Sequence, residues 1–172
     1  MGMPSKLKNL NLYNNGSSYL GVVSSFTPPS LARKTEAWRG GGMIGAAKVD
    51  FGMDDDAMQA QWKIGGYVRQ VLAQFGARTL DATQLRFAQA YQNDATNSVD
   101  NVEIVLRGRH SEIDRGEAKA GEDTEWNITT ECVYYKETFN GITVLEIDIM
   151  NAVYKVDGND INEGIRMALG LL

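Results

Sequence analysis

Disulfide chemistry is absent from this chain. Cys132 is its only cysteine in 172 residues, so no intrachain bridge can form, a small secreted disulfide scaffold is excluded, and a reducing compartment is expected. Histidine is as scarce, with His110 alone. One cysteine and one histidine do not build a structural zinc site without other chains. No apolar run approaches the roughly 18 residues a membrane helix needs. Lysines near the N-terminus (Lys6, Lys8) lead into no apolar stretch, so the start does not read as a signal peptide, and no membrane insertion is expected. Basic charge is also in deficit: the formal net charge is −5, which disfavours a surface that grips nucleic acid.

What is present is enough apolar material for a core, 43% hydrophobic and 9% aromatic, in a length that suits a single domain spanning 1–172. Strand signals dominate. Asn9 to Tyr13 reads as a short strand, followed by Asn14-Asn15-Gly16, a hairpin signal. Its return strand is expected from Tyr19 to Phe26, ended by Pro28-Pro29. Leu31 to Trp38 alternates with charge on both faces, so its own domain should bury it weakly. Ala57 to Ile64 alternates cleanly, with Met58, Ala60, Trp62 and Ile64 on one side and Gln59, Gln61 and Lys63 on the other. The period then changes. Val68, Val71, Leu72 and Phe75 recur at helical spacing and Gly76 follows, predicting the one long internal helix. Further strands are expected around Leu85 to Tyr91, Val102 to Leu106, Glu125 to Phe139 and Ile142 to Tyr154, with Asn140-Gly141 and Asp157-Gly158 as turns. Ser111 to Asp123 reads as a charged connection. A short C-terminal helix is expected, capped by Asp160, with Ile161, Ile165 and Leu169 on an apolar side. The sum is a β-rich, mainly antiparallel sandwich or barrel with one packed helix and a small C-terminal one.

Candidate chemistry fails on spacing. His110, among Arg107, Arg109 and Glu112, reads as a surface residue at a strand end. Asp114 is near in sequence, but no nucleophile elbow accompanies the pair. Cys132 reads as a buried thiol in mid-strand. Asp54-Asp55-Asp56 lacks the spaced oxygen ligands and closing glutamate of a calcium loop. Gly40-Gly41-Gly42 lacks the lysine and helix start of a phosphate loop. No catalytic, metal or cofactor-binding residue is therefore named, and an enzyme is not supported. A monomeric ligand-binding barrel fits poorly too, because it needs an apolar interior rather than strands with two polar faces.

The unusual segment is Trp38 to Asp56, read as a loop of about 39–56. It joins glycine freedom (Gly40, Gly41, Gly42) to side chains that sit poorly in water. Its apolar residues and neighbours, Trp38, Arg39, Gly40, Gly41, Gly42, Met43, Ile44, Phe51 and Met53, are expected to make contacts between subunits. The polar positions Arg33, Thr35, Gln59, Gln61 and Lys63 form alternating polar faces that are not expected to line a core.

These segments, in this order, resemble a known family. MPSKLKNLNLYNNGSSYLG (3–21), LARKTEAWRGGG (31–42) and VDFGMDDDA (49–57) are similar to the major tail tube protein family of contractile-tailed bacteriophages, which also supplies the inner tube of R-type pyocins. LRGRHSEIDRGEAKAGED (106–123) is the most specific stretch; Glu146-Ile147-Asp148, Asn151 and Arg166 to Leu171 also fit. The resemblance implies a non-enzymatic virion protein whose hexameric rings stack into a hollow tube, with strands of each subunit joining a continuous β-barrel around the lumen; Arg33, Thr35, Gln59, Gln61 and Lys63 are then expected to face that lumen or a neighbouring subunit. It implies a tail sheath outside, baseplate or initiator and tail terminator proteins at the ends, and tape measure protein and transiting DNA inside without specific binding. Assembly would occur in the bacterial host cytoplasm. The alternative implied is the inner tube of an R-type pyocin or another contractile injection system that carries no DNA.

Overall fold

The computed structural model describes residues 2–171. Its elements are β1 (Lys6–Asn14), β2 (Ser17–Ser18), β3 (Val23–Thr27), β4 (Arg33–Trp38), β5 (Ala47–Met53), β6 (Gln59–Gly65), α1 (Arg69–Gln74), β7 (Thr83–Gln92), β8 (Val99–Asp114), β9 (Glu125–Phe139), β10 (Ile142–Asp148), β11 (Val153–Val156), β12 (Asn159–Asp160) and α2 (Glu163–Ala168). All pairings are antiparallel. Ten strands share one sheet, while β4 and β5 form a separate ribbon.

β8 and β9 organise the sheet. At 16 and 15 residues they are longer than ordinary strands and pair along most of their length. The first half of β8 carries β7 and then β1, and the second half of β9 carries β10 and β11. The first half of β9 instead pairs with β6, which pairs with β3. Register breaks in the β8–β9 ladder, with Val133 and Ser111 as the unpaired extra residues, bend both strands between these halves. The halves pack face to face as a sandwich. Phe26 of β3 stacks on Phe87 of β7 with centroids 4.3 Å apart, and Trp62, Ile64, Leu12, Leu85 and Ile128 are fully buried between them.

At the bend the two backbones approach closely. A Cβ on Gly108 would lie 2.0 Å from the Glu131 carbonyl oxygen and 2.8 Å from Cys132 Cα. Only glycine fits there. The hairpin turns follow local chemistry: Asn15-Gly16, Asn140-Gly141 and Asp157-Gly158 all have positive φ at both residues, the type I′ requirement.

Several expectations are corrected. The return from Asn15-Gly16 pairs with β1 only through Ser17 and Ser18. The backbone N–H groups of Val22 and Val23 then both donate to the Tyr19 carbonyl, Gly21 takes φ +81°, and β3 crosses to the other layer to pair with β6. Burial of the Tyr19 side chain anchors that turn. α1 is a short helix of 6 residues; Val71 is fully buried but Phe75 is exposed. β8 runs on to Asp114, taking in the first four residues of the region read as a charged connection, while 115–123 do form that connection. The strand read from Ile142 to Tyr154 breaks after Asp148, where Asn151 bonds back to the Asp148 carboxylate. Asp160 does not cap α2, whose N-cap is Asn162; its carboxylate holds Arg166 instead, which keeps its pKa below the ordinary carboxylate value. Ile161, Ile165 and Leu169 are each more than half exposed, so the apolar side of α2 does not join the core.

Candidate assembly surface

The second part of the segment read as a loop is a strand, and with β4 it makes a β-ribbon. β5 pairs back on β4, with Thr35 opposite Asp50, Glu36 opposite Val49, Ala37 opposite Lys48 and Trp38 opposite Ala47. Arg39 to Ala46 remains a loop and forms the connecting tip. Ala47 to Met53 carries the extended preference of Val49 and Phe51, and glycine content alone does not make a loop. Every residue of β4 is exposed, as are the first residues of β5.

The base of the ribbon is fixed. Arg33 Nε donates to Asp50 Oδ2 at 2.9 Å, and its guanidinium lies 4.7 Å from the Tyr154 ring centre. That bond, with the Gly52 N–H donated to the other carboxylate oxygen, lowers the Asp50 pKa. Asp54 N–H donates to the Ala32 carbonyl, closing the ends. Gly52, at φ +103°, sits in the register break between Arg33 and Thr35.

Opposite partners share a face, so Trp38 and Val49 lie on one side of the ribbon and Thr35 and Asp50 on the other. At the tip the Gly40 N–H donates to Met43 Sδ at 3.0 Å, and a Cβ on Gly40 would stand between Trp38 and Met43. Gly42, at φ +82°, makes the turn. The apolar side chains stay in solvent: Trp38 is 64% exposed, Phe51 61% and Ile44 fully so. The structure thus brings Trp38, Met43, Ile44, Val49 and Phe51 onto one projecting element, with Arg39 and Gly41 at its tip. Met53 is part-buried at its base.

The polar positions divide into two groups. Gln59, Gln61 and Lys63 stand together on the exposed face of β6, where Gln59 Nε2 donates to Glu131 Oε1 at 2.8 Å and Lys63 pairs with Glu125 at 3.6 Å. Arg33 and Thr35 belong to the separate ribbon.

His110 is not a surface residue. It is 5% exposed and lies inside β8, on the phase of Ile104, Leu106 and Gly108. That alternation is legible in the sequence once the strand is allowed to continue past Leu106. Its ring closes a buried polar chain. Trp62 Nε1–H donates to Thr130 Oγ1 (3.0 Å), Thr130 is 2.9 Å from His110 Nδ1, and His110 Nε2 is 2.9 Å from Gln74 Oε1. Gln74 also accepts from Asn14 Nδ2 and donates back to Asn14 Oδ1, at 2.8 and 2.7 Å. Tyr19 accepts from Asn14 and donates to Gln70 Oε1. Donors and acceptors match throughout only with a neutral ring protonated on Nε2. Burial accordingly lowers the His110 pKa to about 4. The network pins α1 to the sheet and offers no nucleophile. Cys132 is buried as expected, and burial pushes its thiol up to about 12, which leaves it unreactive. Among the described residues no cluster of His, Cys, Asp and Glu is placed to hold a metal.

The sequence pattern of the family described as phage tail tube protein FII matches residues 4–170. The chain belongs to that family. The tail tube protein of Escherichia phage P2 is 48% identical over 172 residues, covering 99% of this chain and 100% of that protein. The major tail tube protein of Serratia phage KSP20 is 40% identical, covering 99% of both. Solved structures share the fold at low identity. The sheath/tube terminator of the extracellular contractile injection system PVC in its extended state superposes with a TM-score of 0.59 at 10% identity, over 80% of this chain and 99% of that one. A chain of the PVC sheath–tube complex gives 0.58 at 10% identity, over 78% of this chain and 91% of that one. The chain is thus a phage tail tube family protein with a β-sandwich fold shared by contractile injection systems.

Proposed function

We propose that this chain is the repeating subunit of the inner tube of a contractile phage tail, forming hexameric rings that stack into a hollow conduit for DNA. The observation that carries the reading is the projecting ribbon: a tail tube family protein keeps Trp38, Ile44 and Phe51 in water on an element its own body does not cover. Fully burying each such side chain contributes about 1.5–3 kcal/mol, which is a driving force for association with further copies. The net charge of −5 suits a conduit that must not retain DNA. The chain is placed in the virion tail after assembly in the host cytoplasm. Its partners are a sheath outside, baseplate or initiator and terminator proteins at the ends, and the tape measure protein and DNA inside. It acts as a structural protein, not an enzyme. Relatives named from phages favour this reading over a pyocin-type tube without DNA.

Electron microscopy of the concentrated protein tests it: tubes or stacked rings with a central pore are expected, and a monodisperse monomer would refute it. Deleting Arg39 to Ala46 removes only the tip beyond the paired strands, so a folded monomer that forms no tubes is expected, by circular dichroism and microscopy together. Gln59, Gln61 and Lys63 face the lumen or a neighbouring subunit in this reading. Maleimide labelling of Gln61→Cys should therefore be at least about tenfold slower in tubes than in monomer if a neighbour covers β6, or be blocked by capping the tube ends if β6 lines the lumen. Equal labelling in all states contradicts the placement.

A further inference from the structure

The projecting ribbon has a physical counterpart elsewhere on the same molecule. A groove of about 800 Å³ is lined by Pro28, Leu31, Val102, Ile104, Tyr135 and Phe139, and is mostly apolar. Among the described residues its only charged lining is the carboxylates Asp100 and Glu137. Neither forms an ion pair among the described residues. Burial raises the pKa of Glu137, and a bond from Tyr135 only partly opposes that, so a cation arriving at the groove would offset a real desolvation cost. From Ala37 to Val49 the ribbon carries only two charges, Arg39 and Lys48, both basic and neither ion-paired among the described residues. The two surfaces are therefore complementary: each is largely apolar, the ribbon carries two cations without ion pairs, and the groove carries two carboxylates without ion pairs, of which Asp100 accepts a hydrogen bond from Asn140 Nδ2 at 3.0 Å.

The ribbon cannot serve its own groove. It pairs with no strand of the body, and strand rise over its 6 and 7 residues carries the tip roughly 20 Å from the base, whereas the groove begins at Leu31, beside that base. We infer that the ribbon tip of one copy seats in this groove on a second copy, with Trp38 and Ile44 against its apolar walls and Arg39 and Lys48 beside Glu137 and Asp100. The inference deepens the tube reading and rests on it. Because the two surfaces differ, the contact is heterologous: each copy offers a free ribbon and a free groove, so the interaction propagates instead of closing a two-fold dimer. Opposite charge across it sets register and speeds encounter.

Cross-linking in assembled tubes tests the contact. Ile44→Cys is combined with Val144→Cys, a half-exposed residue lining the groove, and treated with a short bismaleimide; native Cys132 is buried and stays silent. A ladder of linked subunits with the 44–144 peptide pair identified by mass spectrometry is expected. Ile44→Cys with Ile165→Cys on the exposed side of α2 is the competing arm, expected not to link. Glu137→Lys should raise the critical concentration for assembly about tenfold or more, and adding Arg39→Glu should restore it to within about threefold, the signature of a coupled pair. Thermal melts check that each variant folds. Tubes that lack the 44–144 link, or that link 44 to 165, overturn the inference alone. A wild-type protein that never forms tubes overturns it together with the reading it rests on.

Discussion

Gly108→Ala is expected to lower the melting temperature by roughly 10 °C or more, or to leave the protein insoluble. The methyl group has nowhere to go. It would sit 2.0 Å from the Glu131 carbonyl oxygen and 2.8 Å from Cys132 Cα, and both obstacles are backbone held in the β8–β9 ladder. Overpacking against movable side chains costs about 1–3 kcal/mol. Here relief requires separating the two longest strands where they bend and where Cys132 N–H also donates to the Met58 carbonyl, so about 3 kcal/mol or more is expected. That is a large share of an ordinary domain stability of about 5–15 kcal/mol. Gly164→Ala is the contrasting control. Gly164 lies inside α2 with open space around it and no positive φ, so the change should stabilise by about 0.5–1 kcal/mol. Urea denaturation of both variants measures the pair of effects. A Gly108→Ala midpoint within experimental error of wild type would show that the close approach at the bend is not a constraint.

Acid is expected to cost about 3 kcal/mol through His110 alone between neutral pH and about pH 4. In the unfolded chain the ring titrates near its ordinary 6.5; in the fold burial lowers it to about 4. Above pH 6.5 both states hold a neutral ring and the contribution is flat. As pH falls below 6.5 the unfolded chain takes up a proton that the fold refuses, and stability declines until about pH 4, where the folded ring titrates too. The geometry gives the reason. A second proton on Nδ1 would face Thr130 Oγ1, which already accepts from Trp62; the Thr130 hydroxyl proton would then lose its acceptor. No carboxylate stands among the ring's hydrogen-bond partners to compensate. Carboxylates such as Asp50 and Asp160, whose pKa values are lowered by Arg33 and Arg166, also lose stability in acid. The measurement is therefore a difference: urea midpoints of wild type and His110→Gln at pH 7.5 and pH 4.5. The variant should start less stable, because a glutamine cannot bridge Thr130 and Gln74 with the same geometry, and should lose less on acidification. Parallel losses in both proteins would remove His110 from the account.

The sequence and the structure agree where the cause is local. Asn15-Gly16, Asn140-Gly141 and Asp157-Gly158 bend as their composition requires, because the left-handed conformation is a property of those two residues. The alternation from Ala60 to Ile64 alone places Trp62 inside and Gln61 outside. The projecting apolar residues from Trp38 to Phe51 were also legible as a group, although their ribbon pairing was not, since glycines in the tip masked the strand that follows. The colinear segments from 3–21 to 166–171 carry the family resemblance by themselves.

Other features had to wait for the packed chain. Nothing near Ser18 tells β3 to leave β1 and cross to β6; that depends on Phe26 finding Phe87, far away in the sequence. His110 became a core residue because β8 continues through the bend and Thr130, Trp62 and Gln74 arrive from other elements to satisfy its ring. α2 kept its apolar side in solvent because, among the described residues, no element of the body covers it, a fact its periodicity cannot express. Turn type and strand phase are set by neighbours along the chain, and so the sequence by itself determined them. Burial and layer are set by neighbours across space, and only the tertiary structure decided those, including which face of the ribbon and which groove remain open to another copy.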